Sequence, residues 1–484
     1  MITALTKEAR ALFPIAAGSG LVLAAAAIAP NQMMLAVAAA FAYGFGCIIL
    51  GAQAIGHEYS AGTLAALLAQ PAPRSRTLLI KLGVLAVMLA VRTLLALPTV
   101  FAAPAAHAMR TRDASIISFA AATAFFLTPY LTMVCRSALG GIVFSVAVPG
   151  LLFVLGDLVG LYLYGINRAA DIDRFKNELF WNGMLVLLAF GAIAGWHRFM
   201  RLQVIDGHGT HVQIPRLFAH AKADRHNGRR GHVIAELVAK ELRLQQMTFV
   251  IVALYAALGL AAPDLRDDAI VLYAVIVSLL VGALASAEER LLAVHEWQLL
   301  LPVPGRQQWR IKAGVALGLA LVAGVAVPAL LRVLYAVEPP ASAQPIAWAP
   351  LLIAVIVLTT GALWISTLSA SGVRALAISL PAAMAAIVAT RLPLVIVDWA
   401  TRNRLMAMHG VRLSHLQTVV LVGALAMPIV GLFLRFGRRN HLSLERSARV
   451  IAAQAAWLLG YFVVASTVLL FTKYPVSDQW RAAP

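Results

Sequence analysis

Long apolar runs, separated by short polar segments, make up most of the chain. A helix of roughly 20 residues crosses the apolar core of a bilayer. Backbone polar groups inside lipid must be paired within the segment, so each run predicts a helix. The pattern predicts twelve or thirteen spans, near residues 11–30, 33–55, 78–101, 114–134, 138–164, 181–199, 247–262, 269–287, 313–336, 347–369, 374–397, 416–436 and 450–472.

Composition agrees with this pattern. Of the 484 residues, 61% are hydrophobic and 12% are charged, whereas soluble domains are about 45–50% apolar and about 25% charged. A water-soluble enzyme, a coiled coil and a disordered regulator are therefore excluded. The predicted fold class is an all-α polytopic membrane protein.

The net charge of +18 raises the question of nucleic-acid binding. With the N-terminus in the cytoplasm, the predicted inner segments carry 25 Lys and Arg, the outer segments carry 12, and two lie within spans. This asymmetry is typical of topology control in membrane proteins. We therefore expect a lipid bilayer and no nucleic acid as partner. The most basic segment, 198–247, predicts a cytoplasmic linker followed by an interfacial helix near 232–246.

Two polar loops share a pattern that indicates an internal repeat. The segments before the first span of each half also match, because Lys7-Glu8-Ala9-Arg10 corresponds to Lys240-Glu241-Leu242-Arg243 at an offset of 233. Within the loops, four positions match at a constant offset of 231: Glu58, Pro71, Pro73 and Lys81 correspond to Glu289, Pro302, Pro304 and Lys312.

The offset predicts a tandem duplication. Six spans return the chain to the cytoplasm, so both halves begin with the same orientation and form parallel repeats. The predicted organisation is a first six-span repeat over 1–199, a basic linker over 200–231, a second six-span repeat over 232–436, and an extra spanning helix with its tail over 437–484.

Each repeated loop begins with an acidic residue and ends in Pro-x-Pro. In the first copy, Leu64, Leu67 and Leu68 fall on one face of a short helix, and the prolines stop that helix. A rigid amphipathic helix in the cytoplasm suits the docking of a soluble partner. The alternative is an interfacial helix that only closes the loop.

The first loop resembles a known family. Its pattern Glu-Tyr-x-x-Gly-Thr-Leu-x-x-Leu-Leu-x-x-Pro-x-x-Arg, starting at Glu58, is similar to the coupling-helix loop of type 2 ABC transporter permeases. The resemblance implies a cytoplasmic helix before the first span of each unit, at 1–10 and 232–246. It also implies a short outer helix before each sixth span, at 165–180 and 399–415.

The same resemblance implies two separate ATP-binding cassette subunits as partners. The chain itself contains no Gly-x-x-x-x-Gly-Lys-Ser/Thr phosphate loop, so we expect ATP and Mg on the partners, no cofactor on this chain and no enzymatic activity of its own. In the second loop Ala293 and Val294 replace Gly62 and Thr63. The residues that the resemblance assigns to ATPase coupling are Glu58, Gly62, Thr63, Leu67, Leu68, Pro71, Glu289, Glu296, Leu299 and Pro302.

Arg92 falls within the third predicted span and Asp157 within the fifth. Intramembrane charges usually pair, and the two residues lie at similar depths. We therefore predict an Arg92–Asp157 ion pair, with separate snorkelling of each side chain as the alternative.

Together these features predict the permease subunit of an ATP-driven exporter in a bacterial inner membrane. The alanine-rich spans suit an amphipathic, lipid-like or drug-like substrate. Two other classes stay open: an ion-coupled secondary transporter with parallel repeats, for which Asp157 is the clearest acidic candidate, and a membrane scaffold or embedded enzyme with no transport role.

Overall fold

The computed structural model describes residues 2–28, 33–69, 71–102, 118–164, 169–202, 230–261, 263–291, 303–334, 347–379, 381–383, 386, 415–443 and 447–473. Within these residues the regular structure is entirely helical. The linker, the second coupling loop and most of the predicted outer helix at 399–415 lie outside the described residues.

Among the described residues of the first half there are seven helices: α1 (Ile2–Ile28), α2 (Met33–Ala61), α3 (Leu64–Leu68), α4 (Arg74–Ala102), α5 (Ser118–Cys135), α6 (Ala138–Tyr164) and α7 (Ala169–Met200).

The described part of the second half contains eight helices: α8 (Arg230–Leu244), α9 (Gln246–Ala261), α10 (Pro263–Leu291), α11 (Gly305–Leu334), α12 (Trp348–Leu368), α13 (Gly372–Ala383), α14 (His415–Leu442) and α15 (Ala448–Lys473).

The long helices lie where the apolar runs predict spans. In the described part of the chain, nine helices are long and apolar enough to cross a membrane, and the bent pair α8–α9 makes ten if it counts as one span. The prediction of an all-α polytopic membrane protein is confirmed at this level. Each of α5 and α11 contains one π-helical turn, at Thr123–Leu127 and Val322–Ala326.

Two predicted short helices are not separate elements. Residues 2–10 form the first turns of the continuous helix α1, and the described part of 165–180 forms the first turns of α7. An exposed Arg174–Glu178 pair one turn apart, at 3.0 Å, adds a small stabilisation to the polar start of α7. The resemblance therefore implied two separate short helices where the structure has continuous long ones.

The predicted interfacial helix of the second half is present as α8. It meets α9 at an angle of 61°, and Gln245 fills the break. The Gln245 side-chain amide donates to the Val281 carbonyl oxygen at 3.0 Å and accepts from Thr248 at 3.0 Å. The break is therefore fixed by side-chain hydrogen bonds that replace backbone ones.

In the described residues, the contacts between the two halves include two helix pairs. One pair is α6 with α9, where Gly150 faces Leu254. The other is α1 with α13, where Gly18 faces Pro381. In each pair a glycine lets the helices approach closely.

The final helix is fastened to the second half by a buried amide pair. Asn440 of α14 and Gln454 of α15 exchange hydrogen bonds of 3.0 and 2.8 Å. Gln454 also accepts from the Trp364 indole at 2.9 Å. Reciprocal amide bonds satisfy both side chains inside an apolar bundle, so α15 is an integral part of the second half.

Two glycines that sequence inspection did not single out set the closest helix contacts. A Cβ atom at Gly51 would lie 2.2 Å from the Ala124 carbonyl oxygen, and one at Gly282 would lie 2.5 Å from that of Thr359. The two positions are 231 residues apart, the same offset as in the loops. Because the obstructing atoms belong to the backbone, the helices themselves would have to separate.

We expect Gly282→Ala to lower the free energy of unfolding by about 1–3 kcal/mol, the usual cost of overpacking a core. Equilibrium unfolding in mixed micelles measures it. Gly314→Ala is the matched control, because nothing lies within 4 Å of that position and alanine favours a helix. Equal stability of the two variants would contradict the close contact.

Candidate functional site

A buried cluster of charged side chains lies at one end of the first half. The Lys81 ammonium of α4 contacts Glu8 of α1 at 2.7 Å and Glu58 of α2 at 3.1 Å. Lys7 contacts the same oxygen of Glu58 at 3.2 Å. Lys81 is 1% exposed and Glu58 is fully buried. The cluster therefore joins three helices through ion pairs, of which those of Lys81 are buried while Lys7 is about half exposed.

The second half contains a cluster of the same composition. The Lys312 ammonium of α11 contacts Glu289 of α10 at 2.7 Å and Glu241 of α8 at 3.1 Å. Lys240 pairs with Glu289 and lies 3.3 Å from Glu241. Lys312 is buried, and its remaining donor goes to the Ala285 carbonyl oxygen at 2.7 Å.

Each cluster places two lysines against two glutamates, so its formal charge is balanced. Taking such charges out of water costs several kcal/mol per ion, and the cost is recovered only with good geometry and further hydrogen bonds. Removing one partner leaves an uncompensated buried charge. We name these groups the first ion cluster (Lys7, Glu8, Glu58, Lys81) and the second ion cluster (Lys240, Glu241, Glu289, Lys312).

The His57 side chain lies beside the first ion cluster. Its Nδ1 donates to the Gln53 carbonyl oxygen at 2.7 Å, while Nε2 lies 3.2 Å from Glu58 and 3.6 Å from Glu8. The ligand atoms of Glu8, His57 and Glu58 lie within 4.8 Å of one another. Both carboxylates, however, already contact lysine ammonium groups, so a bound metal ion would face their positive charge.

Glu58 is held as a carboxylate. Burial raises its pKa, but the adjacent His57 imidazole, the hydrogen bond from the Thr63 hydroxyl and the positive charge of Lys81 outweigh burial and lower the pKa well below its ordinary value of 4.5. Charge-assisted hydrogen bonds of this kind are stronger than neutral ones. Glu58 therefore stays ionised and fixes the end of α2 to its neighbours.

The turn after Glu58 has a defined geometry. Gly62 adopts φ = 65°, its N–H donates to the Tyr59 carbonyl oxygen, and the Thr63 N–H donates to that of Glu58. This pairing is a Schellman C-cap, which needs a left-handed residue at the glycine position. The Thr63 hydroxyl also donates to the Glu58 carboxylate. Gly62 and Thr63 thus link the ion cluster to the loop.

We expect Gly62→Ala to lower the free energy of unfolding by about 1–2 kcal/mol, because a Cβ atom is disfavoured in the left-handed region. Gly62→Asn is the matched variant and should lose less, since asparagine tolerates this region. Thermal unfolding of the purified chain measures both. A Gly62→Ala protein as stable as the wild type would show that the left-handed backbone at residue 62 does not require glycine.

The predicted short helix of the first loop is confirmed as α3. Leu67 is only 8% exposed and Leu64 and Leu68 are half-buried, so the leucine face turns toward the protein. The opposite face is formed by exposed alanines: Ala65, Ala66 and Ala69. A partner that docks on α3 would therefore meet small residues, while the leucines hold the helix in place.

The second proline of each loop directly precedes the next long helix. Pro73 accepts from the Thr77 N–H at 3.2 Å, and Pro304 accepts from the Gln308 N–H at 3.1 Å. Pro71 is exposed in the turn before α4. Of the second loop, Glu296, Leu299 and Pro302 lie outside the described residues, and their role stays a prediction.

The predicted Arg92–Asp157 ion pair is wrong. Asp157 of α6 pairs with Lys176 of α7 at 3.2 Å. Arg92 of α4 donates instead to the Ser19 hydroxyl and the Ala42 carbonyl oxygen. Similar depth did not make the two helices neighbours, because α4 packs on α1 and α2 while α6 packs on α7.

Four cluster members were matched in sequence without a role: Lys7, Glu8, Lys240 and Glu241. Their signal was the repeated Lys-Glu pair, which precedes the first span of both halves. The structure shows that these pairs supply half of each ion cluster.

Comparison with models of protein families, with curated proteins and with solved structures finds no match to this chain.

Proposed function

We propose that the chain is the membrane-spanning permease subunit of an ATP-driven exporter, built from two parallel repeats. The observation that supports it most directly is the pair of ion clusters. Glu58 and Glu289 lie at the ends of α2 and α10, and each pairs with the lysine of the next span and with a lysine from a preceding helix.

Several independent contacts support the repeat. The cluster members, the close-packing glycines and the proline starts of α4 and α11 all recur near one offset. The contacts between the halves are also reciprocal, because α6 meets α9 while α1 meets α13. Parallel repeats related by an axis along the membrane normal produce this arrangement.

The ion clusters would connect movement of the ATPase subunits mechanically to the spanning helices. The first ion cluster ties the start of α1, the end of α2 and the start of α4 into one unit, and α3 projects from that unit. A push on α3 would therefore move three helices together, because balanced buried ion pairs resist separation. ATP and Mg would be held by the separate partner subunits that push.

A narrow apolar gap lies between the halves. Its lining includes Phe45 of α2 and Ile276 of α10, two residues at the repeat offset of 231, together with Ile142 and Ile251. The gap lies where a central path between two parallel repeats would open. An apolar lining suits a substrate with a substantial apolar part.

An ion-driven carrier is less well supported. It would need an acidic group free to exchange a cation. Asp157, the acidic residue suggested by sequence, is engaged by Lys176, which also contacts Asp173 at 2.9 Å.

The proposal is tested by ATPase activity in a gently solubilised complex. The tagged chain should copurify with a separate subunit that contains a phosphate loop and hydrolyses MgATP. Reconstitution with the permease should change the hydrolysis rate of that subunit. A folded chain that neither binds such a subunit nor alters its turnover would contradict the proposal and favour a carrier or scaffold.

A further inference from the structure

A buried arginine lies far from both ion clusters. Arg92 is 2% exposed and follows Lys81 by eleven residues on α4, which places it about 16 Å further along the helix. A bilayer core is about 30 Å thick. The guanidinium is therefore inside the apolar part of the bundle, where a charge is costly and marks a functional site by default.

The partners of Arg92 are neutral. Its two terminal nitrogens donate to the Ser19 hydroxyl and the Ala42 carbonyl oxygen, and its carbon lies 5.9 Å from the centre of the Tyr43 ring. The Nε atom is buried without a hydrogen-bond partner. Within the described residues no carboxylate forms an ion pair with it. Lys81, on the same helix, contacts two carboxylates.

Neighbouring residues hold the Arg92 guanidinium in a fixed position. Ser19 donates to the Ile15 carbonyl oxygen at 2.6 Å, which leaves its oxygen to accept from Arg92. A Cβ atom at Gly46 would lie 2.0 Å from a terminal nitrogen of Arg92. Gly46 thus leaves the space that the guanidinium fills, and three helices, α1, α2 and α4, hold it.

The adjacent surface of α4 is apolar. Val91 is 51% exposed, Leu94 is 64% exposed and Leu95 is 40% exposed. These side chains lie within one helical turn of Arg92 along α4 and form a surface that suits lipid tails. An amphiphile that lies on this surface would bring its head close to Arg92 and its tail against the leucines.

We propose that Arg92, with the Ser19 hydroxyl and the unpartnered Nε atom, binds the anionic head of an amphiphile. The head carries a phosphate or carboxylate, and its negative charge supplies the counterion that the described residues do not. A planar guanidinium can donate to two oxygens of either group, here from Nε and from one terminal nitrogen that exchanges its present neutral partner for the head. The inference rests on the proposed export function and specifies its substrate class as an anionic amphiphile.

Binding is tested on the purified full chain in maltoside micelles, without any ATPase. Dodecyl phosphate is the probe, and the shift in thermal unfolding temperature with probe concentration gives its Kd. We expect at least tenfold weaker binding to Arg92→Gln. Arg76→Gln is the matched control, because Arg76 is an exposed arginine near the start of the same helix and should bind as the wild type does.

A second variant keeps the charge. Gly46→Ala displaces the guanidinium and should also weaken binding, which tests the site even if Arg92→Gln does not fold. Equal affinity in wild type, Arg92→Gln and Gly46→Ala would overturn the proposal and leave Arg92 a structural residue. Equal weakening by Arg76→Gln would overturn it in favour of general surface attraction.

A competition experiment distinguishes membrane phospholipid from single-chain amphiphiles as the source of the head group. If phosphatidylglycerol in the micelle displaces dodecyl phosphate from the wild type, the site accepts membrane phospholipid; if it does not, the site accepts single-chain amphiphiles. Either result supports an anionic head. Because no ATPase takes part, failure of this binding is distinguishable from failure of the proposed export function.

Discussion

Replacing Lys312 by methionine is expected to lower the free energy of unfolding by about 3–5 kcal/mol. The substitution removes the ammonium from between Glu241 and Glu289 and leaves both carboxylates buried. A methionine of similar length fills the space, so the loss reflects charge and not volume. Equilibrium unfolding in mixed micelles, followed by tryptophan fluorescence, measures the change.

Two further variants isolate the cause. Arg310→Met removes a positive charge from an exposed position of the same helix and should change stability by less than about 0.5 kcal/mol. Adding Glu241→Gln and Glu289→Gln to Lys312→Met removes the carboxylate charges that Lys240 alone would have to balance. Because Lys240 is partly exposed to water, this variant should recover most of the loss. A Lys312→Met protein as stable as Arg310→Met would show that the second ion cluster does not hold these helices together.

Placing a carboxylate on the exposed face of α3 is expected to weaken docking of the proposed ATPase subunit strongly. Ala66 points away from the leucine face, so Ala66→Asp should leave the fold intact. In a docked complex the new charge would lose its water without gaining a partner. We expect the Kd for the ATPase to rise roughly 100-fold, equivalent to about 2.7 kcal/mol.

Asn177→Asp is the matched control for this variant. It adds the same charge at an exposed position of α7 and retains the oxygen that accepts from Trp181. It should bind the ATPase as the wild type does. Unchanged affinity of Ala66→Asp, in a protein whose unfolding temperature is also unchanged, would contradict a coupling role for α3.

Much of the fold follows from hydrophobic runs, because lipid requires each spanning segment to be a continuous helix. The runs do not identify helix neighbours, which is why Arg92 was paired with Asp157 and not with Ser19. They also do not show where a helix breaks. Residues 2–10 continue into α1, whereas the chain bends by 61° at Gln245, where side-chain hydrogen bonds stabilise the break.

The candidate site was predictable in part. The loop pattern identified Glu58 and Glu289, and the repeated Lys-Glu pairs were visible before each first span. Their convergence was not, because Glu8 and Lys81 are far apart in sequence and meet only when α1 packs on α4. Gly51 and Gly282 were missed among many glycines, since only the opposing backbone distinguishes them.

We propose that each half of the chain contacts its own ATPase subunit. Native mass spectrometry of the gently solubilised complex tests this most directly, because it gives the mass of the complex. We expect one permease chain with two ATPase subunits. One ATPase subunit per chain, or none while the permease stays folded, would contradict it.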